Sequence, residues 1–122
     1  MLEEVKLKID IRSLNDVECM YLQGFLDAHT APVLENAIQE AMGKSKFKIL
    51  MNFNKLDYIS SAGLGVFMSF IEEIRNNGGD IKMSNMNEKV FSVFDLLGFP
   101  MLFDIHPDEL TMIEKFSIKE IE

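Results

Sequence analysis

Leu56-Asp57-Tyr58-Ile59-Ser60-Ser61-Ala62-Gly63-Leu64-Gly65 is the stretch on which the reading of this chain turns. A hydrophobic strand runs out into two hydroxyls and then into a glycine-containing amphipathic segment, which predicts a strand-to-helix turn. Beyond it, Gly63, Leu64, Phe67, Ile71 and Ile74 fall close to one helical face, while Glu72, Glu73, Arg75, Asn76 and Asn77 supply polar ones. Ser60 or Ser61 therefore lies at the helix start. A serine oxygen there accepts a hydrogen bond from unpaired first-turn amides, which also favour negative charge, so a phosphate at this point meets donors rather than carbonyls. Serine is equally a good N-cap, and that structural role stands beside the functional one.

Upstream of this turn, residues 47–53 form an apolar strand. Before that, Thr30 is placed to cap a helix in which Pro32 fits the first turn, with Val33, Leu34, Ala37, Ile38, Ala41 and Met42 at helical spacing and Gly43 as the stop. At the amino end, Val5, Leu7, Ile9 and Ile11 alternate with polar residues, the period of a half-buried strand. Asn15-Asp16 reads as a turn into a second strand over 17–22, an antiparallel hairpin whose exit loop is 24–29. Downstream, Asn77-Gly78-Gly79 breaks the helix, 81–84 is a short strand, and Asn85 or Asn87 caps a third helix carrying Val90, Val93, Phe94 and Leu97. Gly98 stops that helix, 101–105 reads as an edge strand, and Pro107 opens a last helix packed by Leu110, Ile113 and Phe116, with a frayed tail over 117–122. Helices feeding successive strands imply an α/β domain: a mixed, mostly parallel sheet flanked by about four helices, with right-handed crossovers.

At 122 residues the chain accommodates one domain with a real core, spanning 1–122. A hydrophobic content of 48% with 26% charged residues is that of a globular protein. The net charge of −8, with scattered Lys and Arg, speaks against direct nucleic-acid binding. The amino terminus lacks a basic start and a long apolar core, so secretion is not expected, and the longest nearly apolar run, 62–71, is roughly half of a bilayer span. Cys19 is the sole cysteine and reads as a buried strand position. With only His29 and His106 beside it, no metal-ligand cluster and no cofactor is expected.

The string from Tyr58 to Gly65 resembles the signature of the anti-sigma factor antagonist family, whose domain, shared with sulphate transporters, is called STAS. Gly24-Phe25-Leu26-Asp27-Ala28-His29-Thr30-Ala31 resembles the family's upstream Gly-x-Leu-Asp…Thr-Ala segment, and the resemblance extends over most of the chain. It implies a cytoplasmic, non-enzymatic phospho-switch. Such a protein binds an anti-sigma factor of the serine-protein kinase type and so releases a sigma factor, until phosphorylation ends the binding and a PPM-type phosphatase restores it. The family's acceptor position falls on Ser61, taken here as the hydroxyl closer to the helix amides. Ser60 is a departure, since many kinase-regulated members carry Asp there. Asp27, Thr30, Ser60, Ser61, Gly63 and Leu64 are the implied partner-binding residues. The other reading is a STAS-type adaptor subunit of a larger transport or stress-signalling complex, in which Ser61 is only a cap.

Other chemistry is thinly represented. Gly63-Leu64-Gly65 has Met68 at the third position of a dinucleotide fingerprint, and no Walker-type Gly-Lys-Ser/Thr occurs. These glycines signal either a closely packed helix start or room for a partner. Neither histidine is sequence-adjacent to Ser61 as a base would be, although the 24–29 loop carrying His29 shares an end of the sheet with it in this topology. Asp27 fits local turn chemistry or contact with a partner's cation, and Asp57 a solvated turn or a partner contact. Most of the ten Phe and nine Met fill the core, but Met68, Phe70 and Phe91 fall off the best helix faces, so an apolar docking patch beside Ser61 is a second possibility.

Overall fold

The computed structural model describes residues 6–117. Its elements run β1 (Leu7–Leu14), β2 (Val17–Leu26), α1 (Ala31–Gly43), β3 (Lys48–Ile59), α2 (Ser61–Asn76), β4 (Asp80–Ser84), α3 (Glu88–Leu96), a 3-10 turn (Phe99–Met101), β5 (Ile105–His106) and α4 (Glu109–Ser117). The sheet order is β1-β2-β3-β4-β5, with β1 antiparallel to β2 and every later pair parallel. This is the mixed, mostly parallel α/β sheet with four helices that the alternation of periods predicts. Ser117 is the last residue of α4 rather than the start of a frayed tail; the rest of that expected tail, 118–122, and the alternating position Val5 lie outside the described residues.

Each connection follows from its residues. Asn15 and Asp16 both take left-handed φ, 50° and 71°, the backbone of a two-residue hairpin turn whose twist matches the strands it joins. The three crossovers place α1, α2 and α3 on one face, where Leu34, Ile38, Phe67, Ile74, Val90 and Phe94 close over Met20, Ile49, Met51 and Ile81. Phe53, Phe67, Phe94 and Phe99 continue this core as an aromatic chain with ring centroids 5.3–6.3 Å apart, which accounts for much of the Phe content. Among the described residues the other face is covered by α4 alone, with Met112 and Ile113 against Val17, Cys19 and Leu50. Beside them the buried Lys82 ammonium is held by Asp80 and Asp104, at 3.2 and 2.6 Å.

Four expectations are corrected. β2 does not end at residue 22: Gly24, at φ +107°, carries the strand through a bulge so that Phe25 and Leu26 go on pairing with Tyr58 and Ile59, and the exit loop begins at Asp27. β3 likewise runs on to Ile59. Residues 101–104 are not strand, because Phe99-Pro100-Met101 winds a 3-10 turn after Gly98 and leaves Met101 92% exposed, so that the edge strand is only Ile105–His106. Leu97 and Leu110 do not pack their helices. Both are exposed, and Met112 takes the core position in α4 with Ile113 while Phe116 is half-buried. Of the two candidate caps for α3, Asn87 accepts from the Val90 amide at 2.7 Å, whereas Asn85 turns with φ 62°.

Candidate partner-docking site

The β3–α2 junction and the β2–α1 loop meet at one end of the sheet. Leu26 and Ile59 are register partners, and the Ser60 amide donates to the Leu26 carbonyl at 2.9 Å. Asp27 therefore stands beside the start of the Ser61 helix, as the topology predicts.

The two serines divide the roles. Ser60 is the N-cap: its backbone is extended, and its Oγ accepts from the Gly63 amide at 3.3 Å. Ser61 is the first helical residue, exposed, and its hydroxyl makes no hydrogen bond among the described residues. The expectation that Ser61 is the hydroxyl closer to the helix amides is corrected. A cap needs an extended backbone to turn its side chain over the first turn, and that backbone belongs to Ser60.

Thr30 occupies the cap position of α1, but its side chain does not cap. Its hydroxyl donates to the Phe25 carbonyl and accepts from the Asp27 amide, both at 2.9 Å, and the residue is buried. Asp27 Oδ1 instead closes the turn before the helix, accepting from the His29 and Thr30 amides at 2.9 and 3.1 Å. Desolvation alone would raise the Asp27 pKa, but the Thr30 and His29 donors outweigh it and hold the carboxyl below its ordinary value. Oδ2 makes no hydrogen bond among the described residues. Asp27→Ala is expected to cost no more than a cap, ~1 kcal/mol, in chemical denaturation. It should weaken capture of a protein partner at this end; a larger stability loss with unchanged affinity would make Asp27 purely structural.

Gly63 and Leu64 lie beneath the surface. A Cβ on Gly63 would come within 2.7 Å of the Leu26 Cγ and 2.9 Å of the Leu26 carbonyl oxygen, so hydrogen at this position lets α2 seat against β2. Leu64 is in the core. Both shape the site from below. Gly65 differs: a Cβ there meets nothing within 4 Å. With Ser61 and the 45%-exposed Met68 it forms an exposed stripe at i, i+4 and i+7 along α2. Phe70 packs against the core, and Phe91 on α3 is 38% exposed.

Sequence reading missed an exposed aromatic pair on this rim. Phe25 and Tyr58 are register partners with rings 5.9 Å apart, each nearly half exposed. Both lie inside the two strings that carry the family resemblance, but their pairing depends on the bulge at Gly24. His29 is exposed and bonds through its backbone, and Cys19 is a buried thiol whose pKa is raised to about 11 by burial and then by Glu109, so it stays neutral. Among the described residues no group of three or more His, Cys, Asp or Glu could hold a metal ion, and no helix is long and apolar enough to cross a membrane.

A family model described as STAS domain matches residues 8–111. The chain belongs to the STAS domain family. Among relatives, the anti-sigma-B factor antagonist of Bacillus subtilis is 28% identical over 103 residues, 83% of this chain and 92% of that protein. This STAS domain also superposes on solved structures. An anti-sigma factor antagonist from Mycobacterium paratuberculosis matches with a TM-score of 0.84 at 18% identity, covering 92% of this chain and 95% of that one. The Bacillus cell fate determinant SpoIIAA, solved in its phosphorylated form, matches with a TM-score of 0.67 at 20% identity, covering 89% and 97%. At such identities the structural matches establish the shared fold.

Proposed function

We propose that this STAS domain is a cytoplasmic anti-sigma factor antagonist. It docks on an anti-sigma factor of the serine-protein kinase type through the rim formed by Asp27, Ser60 and Ser61, with Gly65 and Met68 along α2 and Phe25–Tyr58 at the strand ends. Thr30, Gly63 and Leu64 set the shape of that rim. Phosphorylation of Ser61 ends the docking, and a PPM-type phosphatase restores it. The single observation that carries this reading is the division of labour at the start of α2: Ser60 alone caps, so the Ser61 hydroxyl is exposed and uncommitted. The names of relatives as anti-sigma factor antagonists support the same reading.

The test is acceptor mapping. Incubation with the cognate kinase and ATP, followed by intact-mass analysis, should add one phosphate to wild type and to Ser60→Ala but none to Ser61→Ala. The Ser60 variant loses a cap worth about 1 kcal/mol and stays folded. Full labelling of Ser61→Ala would sink the assignment. Recovery of transport subunits and no kinase in a pull-down from the source cell would instead favour the adaptor reading.

A further inference from the structure

A row of polar residues crosses the sheet on the face that α4 covers. The register pairs Asp10 with Tyr21, Tyr21 with Asn52, Asn52 with Ser84, and Ser84 with His106, so one side chain from each of the five strands lies in this row. Interior rows of a sheet are ordinarily apolar, and in the neighbouring row Cys19 and Leu50 are so, between Arg12 and Lys82. Here Asn52 is 7% exposed and Ser84 is fully buried, with its Oγ lacking any hydrogen-bond partner in the structure. Leaving a buried hydroxyl unpaired is unfavourable; Ser84 and His106 end the row away from the open side, where Asp10, Tyr21 and Asn52 line a cleft.

Helix α4 covers only part of this row. Glu109, in its first turn, accepts from Tyr21 Oη at 3.1 Å and from Asn52 Nδ2 at 2.7 Å. Burial and then the Glu109 bond raise the Tyr21 pKa to about 12, which keeps the phenol a donor. Beside the Tyr21 and Asn52 side chains that Glu109 holds, an open cleft of about 290 Å³ remains, at the small end of ligand pockets, which run from roughly 300 to 1,000 Å³. Its wall is shaped by a bulge. Asn52 pairs with Tyr21 and Lys55 with Gln23, so β3 carries one extra residue there, and Asn52 Oδ1 closes the bulge by accepting from the Asn54 amide at 2.8 Å. The bulge brings both Asn54 and Lys55 to the cleft.

The charges are unusual for a chain of net charge −8. Arg12 lies over the Tyr21 ring, 5.4 Å from its centroid, and lines the cleft with Lys55. Neither cation is in an ion pair among the described residues. Asp10 stands on the same wall, and the Asn85 side-chain amide keeps donor capacity because its Oδ1 alone is used, by Asn52. Two free cations with a carboxylate and amides beside them suit a ligand that is anionic at one end and hydroxylated at the other. We propose that this cleft binds a small hydroxylated anion, its anionic group on Arg12 and Lys55 and its hydroxyls on Asp10 and Asn85. The site is separate from the Ser61 rim, and the proposal does not rest on the antagonist reading.

Amide-resolved NMR titration of the full chain at constant ionic strength tests it, with glycerol 3-phosphate, inorganic phosphate and glycerol as probes. Glycerol 3-phosphate should shift the resonances of Asn54, Lys55 and Asn85 saturably, inorganic phosphate should do so at least tenfold more weakly, and glycerol not at all. The exposed pair Arg12→Met and Lys55→Met should together weaken glycerol 3-phosphate at least tenfold while leaving the melting temperature within a few degrees of wild type. The proposal fails if the shifts survive in the double variant, gather at the first turn of α2, or do not saturate.

Discussion

Protein phosphorylated on Ser61 is expected to bind its anti-sigma partner about a hundredfold more weakly, or worse, while melting within a few degrees of the unmodified form. A hundredfold is roughly 2.8 kcal/mol at ~1.4 kcal/mol per decade. The modification adds about −1.5 to −2 charge and three acceptor oxygens. Inside the domain that charge is well placed: it sits on the first residue of a sixteen-residue helix whose first turn holds no acidic side chain. The Ser61 and Ala62 amides have no intrahelical acceptor there. At an interface the balance reverses. A partner closing over Ser61 must strip water from a doubly charged group, and only dedicated cations would replace that water. Ser61→Asp carries less charge in a smaller group and should reproduce part of the loss. Calorimetric titration with the partner and circular dichroism melts of both forms decide it. Unchanged affinity, or a melting temperature lower by many degrees, would overturn the switch.

Alanine at the two glycines of the same turn should move stability in opposite directions. At Gly63 the new methyl would meet the Leu26 carbonyl oxygen at 2.9 Å, an atom that moves only if β2 or α2 moves. Overpacking of this kind costs ~1–3 kcal/mol, and for a domain of this size ~2 kcal/mol lowers the melting point by on the order of 8 °C. At Gly65 the methyl enters open space inside the helix. There alanine should stabilise by up to about 1 kcal/mol through its better helix propensity and the reduced freedom of the unfolded chain. Among the described residues nothing approaches the place a side chain would take at Gly65. If the bare backbone beside Ser61 is there to admit a partner, Gly65→Ala should raise the melting temperature and still lower partner affinity. A destabilised Gly65→Ala, or a Gly63→Ala as stable as wild type, would contradict the packing described.

The order of elements was legible because its signals are local. Alternation at period two, helical spacing after Thr30 and after Ser61, and punctuation at Gly43, Asn77-Gly78-Gly79 and Gly98 each lie within one short window, and each names its own element. The resemblance of two short strings, 24–31 and 58–65, pointed to the family in the same local way. The errors have one physical origin. Gly24 reads as a breaker, yet a neighbouring strand on each side keeps its backbone in the sheet. Residues 101–104 have strand-like composition, yet after Gly98 the chain winds a 3-10 turn and reaches β4 only at the Asp104 carbonyl, which accepts from the Met83 amide at 2.9 Å.

By itself, then, the sequence determined a single α/β domain, its run of strands and helices, and a serine pair at the start of α2. Only the tertiary structure decided which serine caps, that Gly63 is packed while Gly65 is open, and that Phe25 meets Tyr58. It alone aligned Asp10, Tyr21, Asn52, Ser84 and His106 in one row. The reason is register. Residues about thirty positions apart become neighbours only when strands pair, and a single bulge shifts every partner beyond it, so no local window of the chain contains that information.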